Sequence, residues 1–181
     1  MITVRRAELT DATAIGAVHV AAWRSAYPGI LPDAYLASLN PMRQARYYEA
    51  AIAAGAAVMV AAPEAAPPRL VGFATAGRPR PRPGLAQLAE GEIETLYVLD
   101  DWRDQGLGRL LLRAAATELA DRGCRSAYLW VLRDNPSRFF YAHLGGAQVA
   151  SSTTRVGGVA VPQIAYAWDP ITMLINAEKA K

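Results

Sequence analysis

The sequence of 181 residues contains one cysteine, carries a small net charge of +3 and has no long hydrophobic run. The single Cys124 excludes an internal disulfide and a zinc site built from several cysteines. No apolar run approaches the ~18 residues of a membrane span, and no basic-then-apolar leader opens the chain. The modest charge gives little support to nucleic-acid binding. We therefore expect a cytoplasmic protein without a membrane, nucleic-acid or metal partner.

The composition is that of a globular protein, with 52% hydrophobic and 19% charged residues. Its length suits one domain spanning residues 1–181. Apolar periodicity and turn residues predict the order strand, helices, three strands, helix, strand, helix, two strands. The proline-rich segment at 63–68 is the predicted turn of a hairpin. This order predicts a mixed α/β fold, a central mixed sheet flanked by helices.

A segment of alternating arginine and proline occupies residues 78–84. Proline removes backbone donors and favours an extended chain, so we expect an exposed loop. Such a loop is either a basic or proline-motif binding arm or, as we favour, a plain connection between two strands. Binding of a single-stranded nucleic acid would require aromatic residues on which the bases stack, and none stands among these arginines.

The segment 92–99 has the pattern of a strand, and its two glutamates are expected on one face. Alternation predicts one face with Glu92, Glu94, Leu96 and Val98, and the other with Ile93, Thr95, Tyr97 and Leu99. A helix is predicted after it, with an apolar face of Leu107, Leu110, Leu111, Ala114, Ala115 and Leu119.

Between this strand and helix lies the hexapeptide Arg103-Asp104-Gln105-Gly106-Leu107-Gly108. The N-terminus of a helix presents unpaired N–H groups and holds a phosphate well, and glycine lets the ligand approach the backbone. Arg103 and Arg109 flank the turn and supply charge. The segment is not a dinucleotide fingerprint, since position 111 is leucine, and no G-K-[ST] follows as in a Walker loop.

The hexapeptide resembles the R/Q-x-x-G-x-G/A motif of the GNAT superfamily of N-acetyltransferases, which cradles the pyrophosphate of acetyl-CoA. The preceding Leu96-Tyr97-Val98 is similar to the family's central strand, which pairs with the pantetheine arm. The segment from Asn135 through Tyr141 to Gly145 resembles its N-x(5 or 6)-Y-x-x-x-G motif. The resemblance implies a GNAT-like fold and transfer of acetyl from acetyl-CoA to a primary amine by direct attack, without an acyl-enzyme.

The resemblance also implies roles for single residues. The backbone N–H of Val98 would stabilise the oxyanion, and Asn135 would touch the CoA arm, although an Asn-Pro pair also suits a helix cap. Tyr141 would donate a proton to the departing thiolate; its alternative is a core aromatic residue. Glu94 or Glu92 would accept the proton of the amine, and Glu94 is the nearer of the two by position. Alternatively, the two glutamates only attract a cationic substrate, or they lie on a solvated edge of the strand.

Other residues are given smaller parts. We expect Cys124, His19 and His143 to be structural or surface residues, and one of Trp23, Tyr27 and Tyr35 to line the acceptor pocket. A non-catalytic acyl-CoA-binding regulatory module is the alternative function. The sequence leaves open the acceptor and the choice between a monomer and a homodimer.

Overall fold

Seven strands form one mixed sheet in the computed structural model, which describes residues 1–64 and 69–177. The strands are β1 Ile2–Arg6, β2 Ala57–Pro63, β3 Gly72–Gly77, β4 Gly91–Val98, β5 Ala127–Leu132, β6 Ala147–Val156 and β7 Val159–Trp168. Their order across the sheet is β1-β2-β3-β4-β5-β7-β6. Each neighbouring pair is antiparallel except β4 and β5, which are parallel. The predicted mixed sheet is confirmed.

The helices up to the one before β6 follow the predicted order, and one further short helix after β7 was not predicted. They are α1 Ala12–Ala26, α2 Asp33–Ser38, α3 Pro41–Ala53, α4 Leu107–Asp121, α5 Arg138–His143 and α6 Thr172–Ile175, with 3-10 turns at Leu9–Asp11 and Asp100–Trp102. The side chain of Asn40 accepts hydrogen bonds from the N–H groups of Met42 and Arg43, and Pro41 occupies the first helical position. These features fix the start of α3.

Helices cover both faces of the sheet, and β2 shows how the two cores are divided. Val58 and Val60 pack with Tyr48 in the core under α1 and α3, whereas Met59 and Ala61 belong to the core under α4. Successive side chains of a strand point to opposite faces, so a strand buried on both sides is apolar throughout.

Three local predictions need adjustment. The predicted turn at 63–68 falls partly on residues 65–68, outside the described residues. The β-like run that begins at Arg69 in the sequence forms a strand, β3, only from Gly72 onward. In α4, Leu110 is 40% exposed while Leu112 and Ala116 are fully buried. The buried stripe is therefore displaced by about one residue from the predicted one, because α4 packs on β2 and β3 as well as on β4.

The predicted faces of β4 are wrong at its first half, because the strand contains a bulge. Thr75 of β3 pairs with Thr95, but the next residue, Ala76, pairs with Ile93, so Glu94 is the extra residue. Ile93 consequently lies in the core under α4 together with Leu96 and Val98. A bulge reverses the alternation at one point and re-aims the side chain there. Glu92 and Glu94 thus do not continue the face of Leu96 and Val98.

Strands β4 and β5 separate soon after they meet. They pair only at Gly91 with Ala127 and at Glu92 with Tyr128. Beyond that point β5 keeps its pairing with β7 through Leu132. The separation opens a wedge in the middle of the sheet, and no strand of the described residues pairs with the second half of β4 on its β5 side.

Candidate active site

The wedge between β4 and β5 is the mouth of a cleft of about 810 Å³. Side chains from α1, α3, the 78–84 loop, β4, the turn before α4, β5 and the start of α5 line it. Of the residues that the sequence nominated, the cleft wall contains Glu94, Leu96, Tyr97, Val98, Arg103, Asp104, Gly106, Leu107, Gly108, Asn135 and Tyr141. Glu92, Gln105 and Arg109 are not part of the wall.

The glycine turn forms one end of the cleft. Gly106 has φ +79° and Asp104 has φ +58°, both in the left-handed region that glycine adopts without strain. No side chain among the described residues caps the N-terminus of α4, so its first N–H groups point at the cleft without a side-chain acceptor. A Cβ on Gly108 would lie 3.4 Å from Cζ of Phe140, in ordinary van der Waals contact. The turn has the geometry of an anion-binding helix terminus.

The edge of β4 supplies backbone groups to the cleft. The N–H of Leu99 donates to Val71 O at 2.9 Å on the β3 side. Because N–H groups alternate along a strand, those of Val98 and Leu96 point the other way, into the space that β5 has left. An extended ligand can therefore pair with β4 as an additional strand would.

Glu92 lies beside the cleft and is fully buried. Its Oε1 accepts hydrogen bonds from Nη2 of Arg80 and Nη2 of Arg82, each at 2.9 Å. Its Oε2 accepts from the N–H of Arg80 at 2.8 Å and from the hydroxyl of Tyr128 at 3.1 Å. Burial acts to raise the pKa of Glu92, but its bonds to Arg80 and the nearby charges outweigh burial and hold the pKa below its ordinary value. The carboxylate of Glu92 therefore stays ionised, and both of its oxygens are engaged in hydrogen bonds within the protein.

Glu94 is in the opposite condition. It is half-buried on the cleft wall, and burial raises its pKa, with Arg80 opposing and Glu92 reinforcing the rise. No hydrogen bond of its carboxylate is found within residues 1–64 and 69–177. The two glutamates therefore differ sharply, since one is fixed by four donors and the other is available to a ligand.

Tyr141, the fourth residue of α5, and Asn135, which precedes that helix, both line the cleft. Tyr141 is buried, with its ring 5.4 Å from that of Phe140 and 6.1 Å from that of Tyr166. Burial raises the pKa of its phenol well above the ordinary value, so the hydroxyl is a proton-bearing donor at neutral pH. Asn135 Oδ1 accepts from the N–H of Ser137 at 2.9 Å, as a turn cap does, and its side chain also lines the cleft.

The sequence did not predict that three further residues, Arg80, Arg82 and His19, line the cleft. Arg80 and Arg82 belong to the loop expected to be a plain connection, but both side chains reach the cleft. His19 also lies on the wall; its Nδ1 is 2.8 Å from the Tyr48 hydroxyl, and its ring stacks on Trp23 at 5.1 Å. Burial lowers the pKa of His19 to about 4, so the imidazole is neutral.

The remaining expectations fall as follows. Trp23 and Tyr27 line the cleft, while Tyr35 instead packs against Gly157 of the β6–β7 turn. Cys124 is half-buried, and His143 is exposed. Across residues 1–64 and 69–177 we find no group of three or more His, Cys, Asp or Glu side chains that could hold a metal ion. No helix in the described part of the chain is long and apolar enough to cross a membrane.

Comparison with known proteins agrees with this architecture. The profile of the Acetyltransferase (GNAT) family matches residues 20–145. An uncharacterized N-acetyltransferase of Bacillus subtilis (strain 168), YuaI, is 33% identical over 174 residues, which are 96% of each chain.

Two solved structures show the same fold. The ribosomal-protein-alanine N-acetyltransferase of Brucella melitensis superposes with a TM-score of 0.70 at 20% identity, over 92% of this chain and 99% of that one. The structure of yncA from Salmonella typhimurium was determined with its cofactor acetyl-CoA. It superposes with a TM-score of 0.69 at 19% identity, over 99% of this chain and 96% of that one. The family profile and the Bacillus subtilis relative define the class of this protein, an acetyltransferase enzyme. The chain belongs to the GNAT family.

Proposed function

We propose that this enzyme transfers an acetyl group from acetyl-CoA to a primary amine, by direct attack within a ternary complex. The observation that carries the proposal is the single cleft between the separated strands, which joins a helix N-terminus at one end to Glu94 at the other. The family membership supports an acetyl donor, and a structural neighbour was solved with acetyl-CoA.

The glycine turn suits the pyrophosphate of the donor. The N–H groups at the start of α4 and the positive end of the helix dipole would bind the phosphate oxygens around Gly106 and Gly108. Arg103 lies beside the turn, and although it pairs with Asp100 at 2.9 Å, its side chain is half-exposed and can add a charge-assisted contact. Gln105 and Arg109, which the motif also nominated, lie outside the cleft wall.

The edge of β4 suits the pantetheine arm. Leu96 and Val98 present N–H and C=O groups to the space beside the strand, and the arm contains amide groups that can pair with them. The side-chain amide of Asn135 faces the same cleft and is a further candidate contact. This pairing would bring the thioester close to the Val98 N–H, which would bind the oxygen of the tetrahedral intermediate.

The transfer then needs two proton movements. The amine nitrogen attacks the thioester carbon, the N–C bond forms, and the C–S bond breaks as the intermediate collapses. The amine proton passes to Glu94, directly or through a water, because this carboxylate faces the cleft and has no donor of its own. Tyr141 donates a hydrogen bond, or its proton, to the departing thiolate. Full transfer from a phenol to a thiolate runs uphill by roughly 2 kcal/mol at ordinary pKa values.

Thiol release from acetyl-CoA across a panel of amines tests the proposal. We expect release above the rate of spontaneous hydrolysis with at least one amine, and a mass gain of one acetyl group on that amine. Absence of release with every amine, although acetyl-CoA binds, would contradict the transfer. A cytoplasmic location accords with the proposed donor, which is a metabolite of the cell interior.

A further inference from the structure

Two arginines of the 78–84 loop form a positive site at the end of the cleft near Glu94. Arg80 and Arg82 both line the cleft, and Nη2 of each lies 2.9 Å from the same oxygen, Oε1 of Glu92. The guanidinium of Arg82 also lies 5.5 Å above the ring of Trp130, another residue of the wall. We call Arg80 and Arg82 the arginine pair.

The arginine pair carries more positive charge than its partner neutralises. Two guanidinium groups share one buried carboxylate, whose second oxygen is taken by the N–H of Arg80 and the hydroxyl of Tyr128. Each guanidinium has five N–H donors. The Arg80 side chain is 49% exposed and that of Arg82 is 25% exposed, so donors remain directed at the open cleft. Planar guanidinium donors in this arrangement suit a carboxylate or phosphate of a ligand.

The opposite charge lies beside it on the same wall. Glu94 is close enough to both arginines to feel their charges, and its carboxylate has no donor within the described residues. A negative and a positive group next to each other match a ligand that carries an ammonium and an anion on neighbouring atoms. We propose that the acceptor is an amine with an adjacent anionic group, an amino-acid-like zwitterion, whose anion the arginine pair binds.

This inference rests on the proposed acetyl transfer and narrows its acceptor class. It excludes, as preferred acceptors, amines without a nearby anion, including the N-terminus of a peptide. The other reading of the arginine pair is a purely structural one, in which the two side chains only anchor the loop to Glu92. The two readings differ in what removal of one arginine does to charged and uncharged acceptors.

The test compares acceptors in matched sets of three: an L-amino acid, the amine left by its decarboxylation, and its amide. Leucine, phenylalanine and methionine with their derivatives sample different side chains, and thiol release gives kcat/KM for each. The zwitterion should exceed its amine and its amide by about 10- to 100-fold, the range of charge-assisted hydrogen bonds. The amide stands in for a peptide N-terminus.

Arg82→Gln gives the matched variant. We expect it to lower kcat/KM for the zwitterion by about 10-fold or more, chiefly through KM, and to lower kcat/KM for the decarboxylated amine much less. Both acceptors are measured at a pH at which the rate of each protein has reached its plateau, because Arg82 also influences the pKa of Glu94. Arg82→Lys should recover part of the loss because it restores the charge. Arg46→Gln removes the same charge from an exposed position of α3 outside the cleft wall and should change neither acceptor. A further test uses the parent protein. The carboxylic acid that lacks the amino group of the acceptor should compete with the acceptor and inhibit thiol release.

The outcomes separate the two levels of the proposal. Thiol release at equal kcat/KM for each amino acid, its amine and its amide overturns the zwitterion and leaves acetyl transfer in place. An equal loss for all three acceptors in Arg82→Gln, with lowered thermal stability, also overturns it, because that is the result of a structural anchor. No release with any amine overturns the proposed function and this inference together.

Discussion

The two glutamates of β4 should separate stability from activity, although both are changed to the same isosteric residue. Glu92 is fully buried, and its two oxygens accept four hydrogen bonds from Arg80, Arg82 and Tyr128. In Glu92→Gln one oxygen becomes an NH₂ group that faces donors, and the charge that holds both guanidinium groups is lost. Breaking a buried pair costs ~3–5 kcal/mol, and we expect about 3 because Arg80 is half-exposed.

Thermal unfolding measures this loss directly. For a chain of this length, about 3 kcal/mol corresponds to a fall in Tm of roughly 6–12 °C. Glu94→Gln removes no hydrogen bond seen in the described residues, so its Tm should stay close to that of the parent protein. The Glu92→Gln protein, measured below its Tm, should keep general-base catalysis because Glu94 is intact. The acidic limb of its rate should move to lower pH, since the Glu92 charge helps to raise the pKa of Glu94.

The loss of activity should be larger in Glu94→Gln than in Glu92→Gln, the reverse of the order expected for the loss of stability. Near neutral pH an amine of ordinary pKa ~10 is almost wholly protonated, and loss of a general base lowers rates by ~10²–10⁴-fold. Glu94→Gln should therefore lose most activity near pH 7 and recover part of it as the amine deprotonates by itself at higher pH. In the parent, burial raises the pKa of Glu94, so the rate should fall on the acidic side at a higher pH than an ordinary glutamate would give.

Three results would refute this reasoning. If Glu92→Gln melts with the parent, its four hydrogen bonds do not stabilise the fold. If Glu94→Gln keeps its turnover and shows only a raised KM that shrinks with salt, Glu94 attracts a cation and takes no proton. If both variants keep the parent rate at every pH, the amine loses its proton to bulk water or to another residue.

The other predictions concern the donor site, the leaving group and the buried histidine. CoA at about 100 times its dissociation constant should stabilise the fold by about 2.7 kcal/mol in a thermal-shift assay, and Gly108→Glu should abolish the shift because it places a carboxylate at the helix N-terminus. Tyr141→Phe should lower kcat by ~10²–10⁴-fold with CoA affinity unchanged by calorimetry; an unchanged kcat would reduce Tyr141 to core packing. Because burial lowers the pKa of His19 to about 4, stability is complete above the unfolded value of ~6.5 and falls by about 3 kcal/mol as pH drops from 6.5 to 4. His19→Gln should flatten that part of the pH profile in urea unfolding.

The parts of the fold that the sequence predicts well are those with local causes. Asn40-Pro41 starts α3 through its own cap, and the glycine at 106 permits the left-handed turn that begins α4. The sequence could suggest a phosphate-binding role for the glycine turn for the same reason. The start of a helix, with its unpaired N–H groups, can be predicted from the local sequence alone. The predicted order of strands also needed only short-range patterns.

The faces of β4 could not be predicted because a bulge is a property of two strands. Alternation within residues 92–99 is regular as a pattern, and only the pairing of Ala76 with Ile93 shows the extra residue at Glu94. This shift decides the chemistry of the region. It separates Glu92, which is enclosed by donors, from Glu94, which lines the cleft, and equal spacing in the sequence concealed the difference.

The arginine–proline segment was expected to be a plain connection, but two of its arginines reach the site. The prolines between the arginines favour an extended chain, which the sequence predicts well. Arg80 and Arg82 both donate to the same oxygen of Glu92. What the sequence could not supply was that oxygen, because the loop folds back on a strand that begins some ten residues later. The buried carboxylate of Glu92 therefore holds both guanidinium groups at the wall of the cleft, where each keeps donors that are not used by Glu92.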